Sequence, residues 1–289
     1  MKRGVVGRAV AAAVVVIAAS SVATGAVADA APSAKAAGHG LGLDVATAKS
    51  KKGVDTSSGD ALPAKLRGTT ALPASASLQQ YALTPGDQGQ VGSCVTWATG
   101  YTGYGILMRE QGITGAPMAP MYIYSQIAQG DDEGTTAAVA LPMEVSQGID
   151  TRADYAQGDY DFTTQPTAAE RTNAAHYRLS GSSDLTARGD LKTNVMAAIA
   201  SGLPVNIGFQ VRPNFEYLNS SSYNYVPDTR QASLGGHEVT IVGYTSTGVT
   251  LENSWGTSWG NSGFFTAPWS FITGSEVVEV HSMGKLVTS

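Results

Sequence analysis

The sequence predicts an α+β fold with two lobes, a helical lobe followed by a strand-rich lobe. Segments of helical composition come first along the chain: 94–110, 120–129, 135–147, 166–176 and 187–201. Segments with the alternation of strands come later: 203–211, 237–244, 247–253 and 262–267. Because helices and strands do not alternate, a parallel βαβ sheet is disfavoured and an α+β arrangement is favoured.

The first thirty residues are typical of an export signal. Basic residues precede an uninterrupted apolar run at 9–19, and a small-x-small cleavage site ends at Ala28 or Ala30. No later stretch approaches the roughly 20 apolar residues that a membrane-spanning helix needs. We therefore expect domain 1–30 to be a signal peptide, and the mature protein to be secreted without stable membrane association.

Residues 31–70 are rich in Ala, Gly, Ser, Lys and Asp and carry few large apolar side chains. This composition predicts a low-complexity linker or a short prosegment, followed by a folded domain at 71–289. The formal net charge is −5, and cleavage of the signal would remove three basic residues and one acidic residue. Such a surface repels nucleic acid, so we expect no nucleic-acid partner.

The only cysteine of the 289 residues, Cys94, lacks a partner for an internal disulfide. It is therefore either a small buried hydrophobe or a reactive group. Gly89, Gly92 and Ser93 make the approach loop-like, and the apolar spacing of a helix follows, which predicts that Cys94 lies in the first helical turn. The positive end of the helix dipole favours the thiolate there, and the thiolate is the nucleophilic form.

Two later segments contain the groups that a thiol nucleophile needs. His237 stands at the start of a strand-like segment, and Asn253 ends another one 16 positions later. A histidine can act as a general base, and an amide can fix its tautomer and ring plane. A core histidine and a strand-ending asparagine are the alternatives, and the presence of Cys94 favours catalysis.

In these features the chain resembles the papain-like cysteine peptidases. The resemblance covers roughly residues 71–270 and is carried by Gln88, Gly92-Ser93-Cys94, His237 with Val242-Gly243-Tyr244, and Asn253-Ser254-Trp255-Gly256 with Trp259-Gly260. It implies a papain-like two-lobed fold, with an N-terminal helical lobe, a C-terminal antiparallel β-barrel-like lobe and the active site in the cleft between them. Val95, where the family has tryptophan, and Glu238, where it has a small residue, depart from the pattern.

The resemblance also implies a role for each catalytic residue. Cys94 would form an acyl-enzyme with His237 as general base, and Asn253 would orient the imidazole. The side chain of Gln88 would donate, with the Cys94 backbone N–H, to the developing oxyanion. The resemblance implies protein or peptide substrates. It implies neither a metal nor an organic cofactor. Acyl transfer to an amine and a non-catalytic binding module on the same scaffold are the alternatives.

Three further residues are implied to contact substrate. Gly134 would belong to the segment that pairs with the substrate backbone, and Trp255 would cover the hydrogen bond between histidine and asparagine. Glu238 would line the pocket for the second residue before the cut, where a carboxylate favours Lys or Arg. The remaining histidines, at 39, 176 and 281, are interpreted as surface residues.

Overall fold

The structure is a computed structural model that describes Met1 and residues 38–51 and 71–287; the rest of the predicted export signal lies outside them. In chain order its helices are α1 (Val45–Ser50), α2 (residues 94–111), α3 (Pro120–Ala128), α4 (Ala137–Ser146), α5 (Ala168–Ala174), α6 (Leu191–Ala200) and α7 (Trp269–Ile272). Its strands are β1 (Ala76–Ser77), β2 (Arg178–Leu179), β3 (Ser182–Asp184), β4 (Val205–Val211), β5 (Gly235–Tyr244), β6 (Gly248–Glu252), β7 (Phe264–Pro268), β8 (Val277–Met283) and β9 (Leu286–Val287).

The central helix α2 is buried along most of its length. It consists of an α-helical start at Cys94–Thr96, a π-helical middle at Trp97–Gly103 and an α-helical end at Tyr104–Gln111. Gly112, at φ +67°, ends it, because glycine adopts the left-handed conformation without a Cβ clash. The helix is confirmed near its predicted bounds, whereas no feature of the sequence predicted the π-helical middle.

The other predicted helices are present with shorter bounds. Helix α4 continues through Pro142, a residue type that usually interrupts a helix. A proline inside a helix removes one backbone hydrogen bond, and here the buried face that includes Ala140 and Leu141 holds the helix in place. Packing in the helical lobe therefore outweighs the local cost of the proline.

Among the described residues, seven strands form one antiparallel sheet. Its order is β3-β8-β4-β5-β6-β7, with β1 paired to β5. The lobe was expected to resemble a β-barrel, and the sheet is open, because β3 and β7 form its two edges. Strand β8 was not predicted, although it lies beside β4 in the middle of the sheet.

Buried hydrogen bonds connect α2 to the sheet. The Thr240 hydroxyl on β5 donates to the Ala98 carbonyl at 2.9 Å, and the Thr102 hydroxyl donates to Glu252 Oε1 on β6 at 3.2 Å. These contacts hold α2 against strands β5 and β6. No helix in the described part of the chain is long and apolar enough to cross a membrane.

Candidate active site

Cys94 is the first residue of α2, as the sequence predicted, and it is completely buried. The backbone N–H groups of Glu238, Gly42 and Val95 face its sulfur and act to lower the pKa of the thiol. Burial nevertheless raises the pKa of the thiol to about 12, and the more distant Glu279 charge acts in the same direction. The thiolate expected from the helix dipole is therefore absent in this form, because desolvation outweighs the dipole and the N–H donors.

His237 lies at the start of β5 and is hydrogen-bonded to Asn253. Its Nε2 is 2.7 Å from Asn253 Oδ1, which also accepts from the Ser254 backbone N–H at 2.8 Å. An amide oxygen can only accept, so Nε2 carries the proton and Nδ1 carries the lone pair. Burial lowers the pKa of the imidazole to about 4, against the opposing effect of the Asn253 hydrogen bond. The ring is neutral and can accept a proton at Nδ1.

The residue after His237 connects β5 to Cys94. The Glu238 backbone N–H faces the thiol and acts to lower its pKa, so Cys94 lies beside the residue that follows His237 on β5. Nδ1 of His237 is buried and has no hydrogen-bond partner among the described residues. The fold thus brings together the three residues predicted to act, with the basic nitrogen left unoccupied.

A segment that we call the strap, residues 38–51, crosses the site. The Leu43 N–H donates to the Gly236 carbonyl at 3.1 Å on one side. On the other side, Thr135 accepts from the Asp44 N–H at 2.9 Å and donates to the Gly42 carbonyl at 2.8 Å. The strap therefore adds a short strand between the two rims of the groove that contains Cys94. The N–H of Gly42, in the middle of this strand, faces the sulfur of Cys94.

Glycine allows this close approach of the strap. A Cβ at Gly42 would lie 1.8 Å from the carbonyl oxygen of Gly92, and one at Gly40 would lie 2.4 Å from that of Val91. The composition of residues 31–70 predicted a linker or short prosegment and did not indicate this contact, which lies in the described part of that segment, residues 38–51. The alternation of glycine with other residues at 38–43, followed by the helix-capping Asp44, is the signal that could have found it.

Gln88 is buried beside the strap. Its Nε2 donates to the carbonyl oxygens of Gly40 at 3.0 Å and Val91 at 2.9 Å. Its Oε1 accepts from the Ser254 hydroxyl at 2.7 Å, which fixes the orientation of the amide. One donor is therefore used within the loop before Cys94, and the other is used by a carbonyl of the strap.

Gly134, predicted to belong to the segment that pairs with the substrate backbone, donates its N–H to the Tyr124 hydroxyl at 3.0 Å. The neighbouring Thr135 makes the backbone pairs with the strap instead. Gly134 contributes space: a Cβ there would lie 2.1 Å from the Gly42 oxygen, and its φ of +80° favours glycine.

Trp255 lies between the imidazole and the strap. Its ring centroid is 4.8 Å from that of His237, and the ring of His39 stacks on it at 4.6 Å and 10°. Phe215 packs edge-on against the same indole at 5.1 Å. The tryptophan thus shields the histidine from water, and His39, predicted to be a surface residue, packs against it.

Glu238 is completely buried, and sequence reasoning missed the two ionisable residues near it. Glu279 and His281, both on β8, are also buried, and His281 Nε2 lies 3.5 Å from Glu279 Oε2. The prediction of a surface histidine at 281 is wrong, because β8 was not recognised as a central strand. The regular alternation from Val278 to His281 is the signal that could have found it.

Comparison with known proteins gives consistent similarities. A family model described as papain family cysteine protease matches residues 76–270. An uncharacterized peptidase C1-like protein of Acanthamoeba polyphaga mimivirus is 27% identical over 206 residues, which cover 66% of each chain. Cysteine proteinase 3 of Entamoeba histolytica is 27% identical over 187 residues, 62% of this chain and 57% of that protein. The matched region thus spans less than two thirds of these relatives.

Solved structures share the fold. Xylellain, a cysteine protease from Xylella fastidiosa, matches with a TM-score of 0.69 at 18% identity, over 87% of this chain and 97% of its own. Bromelain from Ananas comosus, in complex with the E64 inhibitor, matches with a TM-score of 0.59 at 20% identity, over 74% of this chain and 100% of its own.

Proposed function

The chain belongs to the papain family of cysteine proteases, and on that premise we propose that it is a secreted peptidase that cleaves peptide bonds through an acyl-enzyme on Cys94. The observation that carries the proposal is the 2.7 Å bond from His237 Nε2 to Asn253 Oδ1. It leaves the lone pair of Nδ1 without a partner among the described residues, while the next residue on β5, Glu238, faces a cysteine at the start of a helix. If Cys94 had only a packing role, neither the fixed orientation of the His237 ring nor its unpaired Nδ1 would be needed.

In the proposed reaction, Cys94 Sγ bonds to the carbonyl carbon of the substrate, and the thiol proton passes to His237 Nδ1. The carbonyl oxygen gains negative charge, which the Gln88 amide and the Cys94 backbone N–H stabilise. The C–N bond then breaks, and the imidazolium gives its proton to the leaving amine. Water then attacks the thioester carbon while His237 Nδ1 takes one of its protons, the C–S bond breaks to release the acid product, and the imidazolium returns the proton to the Cys94 sulfur.

We assign the covered form to a latent state of this enzyme. Cys94 has no solvent exposure, and the strap uses both rims of the groove and one N–H of Gln88. Displacement of residues 38–51 would hydrate the site, which lowers the pKa of the thiol and raises that of the imidazole. Proton transfer between the two groups would then become favourable.

The groups that hold the strap also indicate how a substrate would bind. The Gly236 carbonyl and both backbone groups of Thr135 are arranged for an extended chain. We propose that substrate backbone replaces the strap on these groups, with Gly134 providing clearance and Trp255 closing the site over His237. The predicted signal at 1–30 supports secretion.

Hydrolysis of a fluorogenic peptide set tests the proposal. Wild type and Gly42→Ala are compared, because a Cβ at Gly42 would overlap Gly92 and displace the strap. Cleavage that is faster in Gly42→Ala and absent from Gly42→Ala/Cys94→Ala supports the assignment, whereas cleavage by the variant without Cys94 rejects it. Addition of an amine nucleophile separates the alternatives, since an acyl transferase would yield an amide product in place of the acid.

A further inference from the structure

A side-chain pocket opens beneath the strap, next to Cys94, and Leu43 fills it. Leu43 is almost fully buried, and the space that a Cβ of Gly208 would take is bounded by three side chains. Such a Cβ would lie 2.7 Å from Leu43 Cδ2, 2.8 Å from Glu279 Cγ and 3.2 Å from Glu238 Oε2. Because Gly208 has no side chain, the leucine reaches two buried acids at the base of the pocket.

The two acids differ in how their oxygens are satisfied. Glu279 Oε1 accepts from the Ala137 backbone N–H at 3.0 Å, and Oε2 lies 3.5 Å from His281 Nε2. Neither oxygen of Glu238 accepts a hydrogen bond from the described residues, but its carboxyl lies against that of Glu279, to which it can donate when it is protonated. Burial and the adjacent charge of Glu279 raise the pKa of Glu238 well above its usual range. The pocket therefore contains a pair of adjacent buried acids that share a proton, covered by an apolar leucine side chain.

An occupant with a donor at its end would match this pocket better than leucine does. Two adjacent buried acids cannot both be ionised without strong repulsion, and an apolar side chain above them excludes water without supplying an opposite charge. A cationic side chain would donate to Glu238 and favour its ionised form, and Glu279 would add attraction.

We propose that the pocket filled by Leu43 selects a lysine or arginine side chain of the substrate, with Glu238 and Glu279 as the residues that determine this specificity. The inference rests on the proposed peptidase function, because it assumes that substrate replaces the strap on the same rims. It extends the sequence prediction, which named Glu238 alone, by adding Glu279 and the room above Gly208.

A library of fluorogenic tripeptides tests the specificity in the Gly42→Ala background. Each position before the cleaved bond is Lys, Arg, Leu or Gln in turn. We expect kcat/KM at one position to favour Lys or Arg over Leu, and this ratio to fall at least about tenfold in Glu238→Gln and in Glu279→Gln. Glu133→Gln, which removes an exposed carboxylate near the groove, should leave the ratio unchanged.

Equal ratios in the Glu238→Gln variant and its parent would overturn the proposal, as would a parent that prefers leucine at every position. If no peptide is cleaved, the proposed function fails. The preference of the pocket for a cation is then tested through Leu43, the strap residue that fills it. That second experiment measures alkylation of Cys94 by iodoacetamide in the full chain, followed by intact mass, and it needs no turnover.

Two substitutions at Leu43 separate a cation pocket from an apolar one. Leu43→Lys should leave Cys94 alkylated no faster than in wild type, whereas Leu43→Glu should expose it at least about tenfold faster, because like charges repel. In Leu43→Lys combined with Glu238→Gln the protection should be lost. If Leu43→Lys releases Cys94 as fast as Leu43→Glu does, the pocket is not selective for cations.

Discussion

The side-chain amide of Gln88 donates to the carbonyl oxygen of Gly40, with Nε2 at 3.0 Å from that oxygen. A strap carbonyl thereby occupies the donor that the proposed mechanism assigns to the oxyanion. The Val91 carbonyl and the Ser254 hydroxyl hold the other polar atoms of the same amide. Departure of the strap would free one N–H without a need to reorient the side chain.

Replacement of Gln88 by alanine should lower kcat by about a hundredfold or more with little change in KM, the usual effect of removing one oxyanion donor. Kinetics are measured in the Gly42→Ala background, with thermal unfolding to check that the fold is kept. Ser254→Ala, which removes only the group that orients the amide, should cause a smaller loss. A Gln88→Ala variant that changed only KM would rule out the oxyanion role.

Replacement of Asn253 by alanine should cost less, on the order of tenfold in kcat, because Trp255 still packs against the imidazole. The hydrogen bond from Asn253 raises the pKa of His237. Its loss should therefore move the alkaline limb of the pH–rate profile, where the imidazolium loses its proton, to lower pH. A limb that stays in place or moves to higher pH would contradict the proposed orientation.

Two buried carboxyls should make the protein less stable as the pH rises. Burial raises the pKa of both Glu144 and Glu252 to about 8, although threonine hydroxyls of α2 donate to each. The folded state holds these protons more tightly than the unfolded state, whose values are near 4.5. Their contribution to the free energy of unfolding is complete below about pH 4.5 and is lost as the pH rises to about 8. Each unit of difference between the folded and unfolded pKa corresponds to about 1.4 kcal/mol.

Thermal unfolding at pH 5 and pH 8 checks this expectation. Glu144→Gln should narrow the difference between the Tm at pH 5 and the Tm at pH 8, since an amide does not titrate. Glu133→Gln is the matched control, because that carboxylate is exposed. If the Tm difference between pH 5 and pH 8 is the same in Glu144→Gln as in wild type, the Glu144 carboxyl is already ionised at pH 5 in the folded protein.

Periodicity and residue spacing were enough to predict the main helices, most of the sheet and the positions of Cys94, His237 and Asn253. Strand β8 was missed because both of its faces are buried, so its polar residues Glu279 and His281 suggested exposure. The acid pair in the pocket depends on the pairing of β8 with β4 and could not be inferred without that strand.

The strap was missed for a different reason. It is held mainly by backbone hydrogen bonds and by the absence of Cβ atoms at Gly40 and Gly42, and neither produces a hydrophobic period. The protonation of the site follows from the strap: a partly exposed Cys94 would have the lowered pKa that the helix start predicts, whereas the covered thiol does not.

The central claim is that Cys94 is a nucleophile covered by the strap, and reaction with an epoxysuccinyl thiol-protease probe tests it most directly. Intact mass is followed over time for wild type, Gly42→Ala and Lys49→Ala, a change on the exposed side of the same strap. We predict a single adduct on Cys94 that forms at least about tenfold faster in Gly42→Ala, while Lys49→Ala matches wild type. A folded Gly42→Ala protein that forms no adduct, or forms it no faster than wild type does, would contradict the account.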